Sequence, residues 1–240
     1  MANQSSDLTT SKFKWDAKFN THLNLQRNHK TFDSASLGQF VKLSLKEIAV
    51  IDSFIAIPIR NVLDIGCGLG MYDIAINEYF QTKLAKPNAK TPNAIKFHML
   101  DKTTTPIEEH KVYYGHRPVA CFYNNLDYTR ELLTMNGINT ASISTISVCD
   151  TTQETNKTLL KLPKMDLIIS IISMGFHYPV TTYLDSVYEL LNEGGLFCFH
   201  CRTLQNFLAL QNRFAIVHPS LDKIKDGCLV MCKKVTNKPQ

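Results

Sequence analysis

Chemistry is easiest to read at Asp64-Ile65-Gly66-Cys67-Gly68-Leu69-Gly70. Three glycines stand at every second position behind a short apolar run that ends in an acid. A residue without Cβ takes backbone conformations closed to others, so such a turn lets a ligand come close to the main chain. A second concentration is SIISMGFHYP, residues 170–179. There His177 sits between Phe176 and Tyr178 and is stiffened by Pro179. A neutral imidazole in such a loop suits deprotonation of an alcohol; a histidine that caps or packs the loop is the other reading. Cys198-Phe-His-Cys201 has redox or zinc spacing. No second cysteine pair or His-x₃₋₅-His completes a site, and a strand sends these two thiols to opposite faces, so no metal is expected.

Alternating elements must position these groups. Apolar residues at helical spacing predict a helix over 36–57 that Pro58 stops. Strand 61–65 feeds the glycines, helix 71–80 follows, and strand 95–100 ends at Asp101. Segment 103–124 has no clear period, and a long loop on a functional rim suits a binding site or a lid. Its Tyr113, Tyr114 and Arg117 suit a sugar ring or an anionic small molecule. Helix 126–137 closes at Asn136-Gly137. Strand 142–148 ends at Cys149-Asp150, and strand 166–172 is buried. Helix 182–195 ends in a glycine stop, strand 196–201 follows, and 204–214 looks helical. AIVHP and CLVMCKK pair as a terminal hairpin.

This order predicts an α/β protein: a doubly wound, mostly parallel seven-stranded sheet with an antiparallel C-terminal hairpin and a helical N-terminal extension. The chain reads as one domain over 1–240, with 1–57 as extension and helix and 58–240 as the core. Right-handed crossovers bring the carboxyl ends of the strands to one edge, where ligands bind. The glycine turn, Asp101, Asp150 and the 170–179 loop therefore converge on one rim. His200 and Arg202 are further rim candidates.

At 240 residues the chain can bury roughly 70% of its unfolded surface. Its net charge of +5 is spread over both ends, without a dense basic patch, so nucleic acid is not favoured. Seven cysteines, an odd number set mostly in apolar runs, read as reduced thiols of a cytoplasmic protein. No leader is visible, and the longest apolar stretch, 167–176, is too short to span a bilayer.

A dinucleotide turn wants G-x-G-x-x-G, and the third position counted from Gly66 is Met71. Asp64-x-Gly66-x-Gly68-x-Gly70 instead resembles the first motif of the class I S-adenosylmethionine-dependent methyltransferases. Asp101 in FHMLDK resembles the acid that binds the ribose hydroxyls, Asp150 in SVCDT the acid near the adenine, and LLNEGGLFCFH the family's helix, Gly-Gly turn and fifth strand. The resemblance implies S-adenosylmethionine as cofactor and S-adenosylhomocysteine as product. It assigns the cofactor to Asp64, Gly66, Cys67, Gly68 and Gly70, to Asp101 and Lys102, and to Asp150, Thr151 and Ser170. His177 and Tyr178 are the catalytic candidates; Tyr113, Tyr114, Arg117, His200 and Arg202 are the substrate candidates. The chain lacks the Asn/Asp/Ser-Pro-Pro-aromatic motif of amino-methylating enzymes and has no Pro-Cys. SMGFHYPVTTYLD is similar to bacterial methyltransferases of glycan or capsule biosynthesis. The reading is methyl transfer to a hydroxyl of a sugar, a nucleotide sugar or a small phosphorylated metabolite. The alternatives are a nucleic-acid methyltransferase and a silent cofactor-binding partner subunit.

Overall fold

The computed structural model describes residues 13–20, 34–84, 94–102, 111–114, 117–121, 124–149, 151–211, 213–219 and 227–235. Asp150, among the cofactor candidates, lies outside them. Seven strands form one sheet: β1 (Asn61–Ile65), β2 (Lys96–Asp101), β5 (Ile143–Ser147), β6 (Met165–Ser170), β7 (Leu191–Cys201), β8 (Phe214–His218) and β9 (Cys228–Lys234), in the order β5-β2-β1-β6-β7-β9-β8. Neighbours from β5 to β7 are parallel, whereas β9 runs antiparallel to β7 and β8. The sheet, its helices and the antiparallel end agree with the sequence pattern.

The central strands are covered on both faces. All six residues of β6 are buried, as are four of the five in β1. One apolar cluster packs α1 (Ser34–Phe54), α2 (Met71–Leu84) and α3 (Leu126–Met135) on one face; a second packs α4 (Thr152–Leu159), α5 (Leu184–Leu190) and α6 (Leu204–Leu208) on the other. Leu37, Val41, Leu45, Ile48 and Ile51 form the inward stripe of α1. Cys198 and Cys201 point into opposite clusters, as a strand requires. The N-terminal segment 13–20 docks on α3: Phe19 is fully buried, 5.7 Å from the Tyr128 ring, and the backbone N–H of Lys14 donates to Asn136 Oδ1 at 2.7 Å.

Three elements differ from expectation. Helix 182–195 divides into a 3₁₀ turn (Val180–Thr182), α5 and the start of β7, which begins at Leu191. Gly194 and Gly195 thus lie within a strand whose pairing shifts register, not at a helix stop. The reason is a clamp at the strands' amino ends: the Asp166 carboxylate accepts from Arg60 N, Asn61 N and Asn192 Nδ2 at 2.7–2.9 Å. Helix 204–214 ends at Leu208, since Phe214 opens β8 and packs into the second cluster. Segment 103–124 holds a small antiparallel ribbon, β3 (Lys111–Tyr114) with β4 (Arg117–Cys121), where Tyr114 pairs with Arg117. The backbone of the candidates Tyr113, Tyr114 and Arg117 lies on this ribbon, and their side chains are outside the described residues. Among the described residues no helix is long and apolar enough to cross a membrane, and no group of three or more His, Cys, Asp or Glu could hold a metal.

Candidate functional site

The turn after β1 is fastened to the end of β2. Gly66 N and Cys67 N both donate to Leu100 O, at 2.8 and 3.2 Å, and Gly70 N closes on Cys67 O at 2.9 Å. Gly66, Gly68 and Gly70 all have positive φ, +80°, +53° and +73°, a region that disfavours other residues. The glycines also answer to packing. A Cβ on Gly66 would lie 1.8 Å from Ser173 Oγ, and one on Gly70 would lie 2.9 Å from Leu133 of α3. Gly66 therefore makes room for the loop after β6.

Asp101 completes this centre. Its Oδ2 accepts from Gly68 N at 2.7 Å and Asn124 Nδ2 at 3.0 Å, and its Oδ1 accepts from Lys102 N at 2.7 Å. Burial raises Asp101 to about 6, against the opposing pull of those donors. Gly68 O is gripped from α3's side by Asn124 Nδ2 at 2.8 Å and Thr129 Oγ1 at 2.7 Å. Asn124 and Thr129 are site residues that sequence reading missed as such. The capping pair Asn124-Asn125 before α3 was the available signal, for Asn125 caps that helix.

Beneath the turn, Asp64 of β1 faces Asp73 in the first turn of α2. Both are almost fully buried. Burial, then the neighbouring carboxylate, pushes Asp64 far above the usual carboxylate range, and burial takes Asp73 to about 7. Two buried carboxyls this close do not both ionise, so one of the two stays protonated near neutrality. Cys67 is buried too, with its thiol raised well above the ordinary value by burial and then by Asp101, so it is no nucleophile at neutral pH.

The other cofactor candidates have different surroundings. Ser170 Oγ donates to Ile65 O and accepts from Met174 N, both at 2.8 Å, pinning the loop after β6 to the glycine turn. Thr151 caps α4, its hydroxyl accepting from Glu154 N at 3.2 Å. In the 171–179 loop, His177 N donates to Ser173 O at 2.8 Å, and its ring meets Phe176 edge-on at 5.0 Å. Tyr178 is buried, and its hydroxyl shares a 3.1 Å hydrogen bond with Ser173 Oγ. His200 Nε2 lies 3.8 Å from Glu47 Oε1 of α1, and Glu47 Oε2 accepts from Tyr72 OH at 3.3 Å. Arg202 lies against Phe176.

Ile172 stands at φ +55° with its side chain exposed. A β-branched residue in the left-handed region costs about 1–2 kcal/mol, a strain that concentrates at functional loops. Ile172→Asn, which tolerates that region, is expected to raise stability by about 1 kcal/mol in urea unfolding. A loss of stability would show that the side chain's contacts outweigh the strain.

The strand order, with its flanking helices and antiparallel end, is an architecture that solved structures share. The chain is similar to a protein from Nostoc punctiforme assigned as an O-methyltransferase, with a TM-score of 0.53 and 13% identity over 82% of this chain and 57% of that one. The fold is that of the class I methyltransferases. Also similar are a methyltransferase from Geobacter sulfurreducens (TM-score 0.48, 12% identity, 96% of this chain and 93% of that one) and precorrin-6y C5,15-methyltransferase from Geobacter metallireducens (0.46, 14%, 82% and 89%). At such identities the likeness is one of fold. No family model matches the sequence, and no curated protein does. Within the methyltransferase fold, the glycine turn, Asp101 and the 171–179 loop occupy neighbouring strand ends at the centre of the sheet.

Proposed function

We propose that the chain binds S-adenosylmethionine and transfers its methyl group to a hydroxyl of a small molecule, such as a sugar, a nucleotide sugar or a phosphorylated metabolite. The observation that carries the reading is the 2.7 Å bond from Gly68 N to Asp101, which joins the glycine turn to the acid at the end of β2. The residues present fit the cofactor. Asp101 is a preformed acceptor for vicinal hydroxyls, its carboxylate already oriented by Gly68 N, Lys102 N and Asn124 Nδ2. Bound there, S-adenosylmethionine would supply an electrophilic methyl group on a sulfonium: the acceptor oxygen would take the methyl, and the C–S electron pair would pass to sulfur, leaving S-adenosylhomocysteine. The acceptor's hydroxyl proton goes to a base, the role given to His177. Ser170, Ser173 and Tyr178 hold the loop in register with the turn, which keeps that base beside the cofactor site.

Calorimetric titration with S-adenosylhomocysteine, with NAD run alongside, tests the reading. Saturable binding of the former alone is expected; no binding would sink it. Asp101→Ala is expected to cost about 1–3 kcal/mol of that affinity. The affinity also falls in acid. Hydroxyl donors bind the carboxylate form, so with Asp101 near 6 the affinity at pH 5 is expected to be about tenfold below that at pH 7. Asp101→Asn flattens that slope, and an unchanged slope would move the titration to another group. The same raised value works the other way on folding: the folded state holds this proton more tightly than the unfolded chain, so its contribution to stability is lost as pH rises from about 4 through about 6.

A further inference from the structure

Arg202, the first residue beyond β7, is tied twice to the loop after β6. Its backbone N–H donates to Gly175 O at 3.0 Å, and its guanidinium carbon lies 4.9 Å from the centroid of Phe176. Phe176 is itself wedged: Gly227, at φ +90°, comes so close that a Cβ there would lie 2.7 Å from Phe176 Cε2. Gly175, at φ +84°, is pressed in turn on Phe199. The guanidinium therefore rests against a ring with little room to swing. An arginine resting on an aromatic ring still has five N–H donors that seek acceptors. Nη1 of Arg202 is shielded from solvent and has no hydrogen-bond partner, and among the described residues no carboxylate pairs with the side chain. A permanently charged donor left in this state is costly unless something supplies an oxygen. The arrangement differs from that of Arg213, which is paired with Asp185.

We infer that Arg202 is the anion-binding residue of the acceptor site, and that the acceptor carries an oxyanion, a phosphate or a carboxylate, beside the hydroxyl to be methylated. His177 and Arg202 both contact the ring of Phe176. One wedged aromatic thus sets the spacing between the group that takes the proton and the group that takes the charge. A neutral acceptor of the same shape leaves the guanidinium unpaired, so the pocket discriminates through an unmet donor as well as through attraction. The inference deepens the methyl-transfer reading and rests on it for the identity of the ligand as acceptor; the anion site itself does not.

Two arms test it on the full chain. In the first, the side-chain N–H signals of ¹⁵N-arginine-labelled protein are followed on titration with inorganic phosphate, and separately with acetate, at ionic strength held constant with chloride. Saturable shifts of Arg202 are expected in the wild type; wild type and variants are then compared by calorimetric titration with the same anion, where binding at least tenfold weaker is expected in Arg202→Lys and no saturable response in Arg202→Met. Met keeps the apolar packing on Phe176, and Lys keeps the charge while losing the fork, so one folded variant suffices. Whichever of phosphate and acetate binds more tightly names the source of the oxyanion. In the second arm, S-adenosylhomocysteine formation is compared for matched hydroxyl compounds with and without that group; a preference of tenfold or more is expected, collapsing in Arg202→Met. Equal response of wild type and Arg202→Met to the anion would overturn the inference even if S-adenosylhomocysteine binds. If S-adenosylhomocysteine fails to bind the wild type, the methyl-transfer reading falls instead, and the titration still decides the anion site.

Discussion

Gly66→Ala is expected to lose about 3 kcal/mol or more of stability and with it the ability to bind S-adenosylhomocysteine. Two costs add. At φ +80° an alanine pays on the order of 1–2 kcal/mol for its backbone alone. Its Cβ would also lie 1.8 Å from Ser173 Oγ and 2.4 Å from Ser173 Cβ, distances at which something must move. Ser173 has nowhere easy to go. It is buried, its hydroxyl bonds Tyr178, and its carbonyl accepts from Phe176 N and His177 N. The displacement would thus pass into the loop that holds His177 and push the turn away from Asp101. Urea unfolding and calorimetry on the single variant and on Gly66→Ala/Ser173→Gly separate the terms. The double variant relieves the collision and retains the φ penalty, so it should recover part of the stability, not all of it. A single variant within about 1 kcal/mol of the wild type would mean that the turn relaxes freely, and the packing account of Gly66 would be wrong.

The same residue marks the limit of what the sequence makes legible. The glycines announce a turn, because most other residue types disfavour that backbone, and the apolar run before them announces a strand covered on both faces. Asp101 is legible as the last residue of β2, and α3 as a helix framed by Asn125 and Asn136-Gly137. These signals are local. The reason for Gly66 is not, for it comes from Ser173 on another strand's loop. Asn124 and Thr129 reach Gly68 O across 56 and 61 positions, and no period or spacing encodes such a pairing. Asp73 reads locally as an acid complementing a helix amino end, and only the packing of α2 over β1 reveals it as the buried partner of Asp64. The misjudged boundary of β7 has a similar origin. Gly194-Gly195 has the composition of a helix stop, but the clamp at Asp166 extends the strand past it.

His177→Ala is expected to lower turnover by on the order of 10²-fold or more, about 2.7 kcal/mol of barrier, while S-adenosylhomocysteine affinity stays within a factor of about three. The separation follows from geometry. The hydrogen bond that anchors His177 in the loop is made by its backbone N–H to Ser173 O, and alanine keeps it. What alanine removes is an imidazole whose ring meets Phe176 at 5.0 Å and 81°, held by a wedged aromatic in one region of the rim. Tyr178, the other titratable residue of the loop, is a weaker candidate for the base: it is buried, and its hydroxyl is engaged with Ser173 Oγ. His177→Gln discriminates a base from a packing residue. Glutamine restores bulk and hydrogen bonding but accepts no proton at neutral pH, so it should be as slow as alanine, and added imidazole should rescue the alanine variant in part. Both are measured as S-adenosylhomocysteine release with the acceptor yielded by a screen of sugar phosphates and nucleotide sugars. If His177→Gln turns over within threefold of the wild type, His177 serves the loop's packing, and the proton leaves by another route.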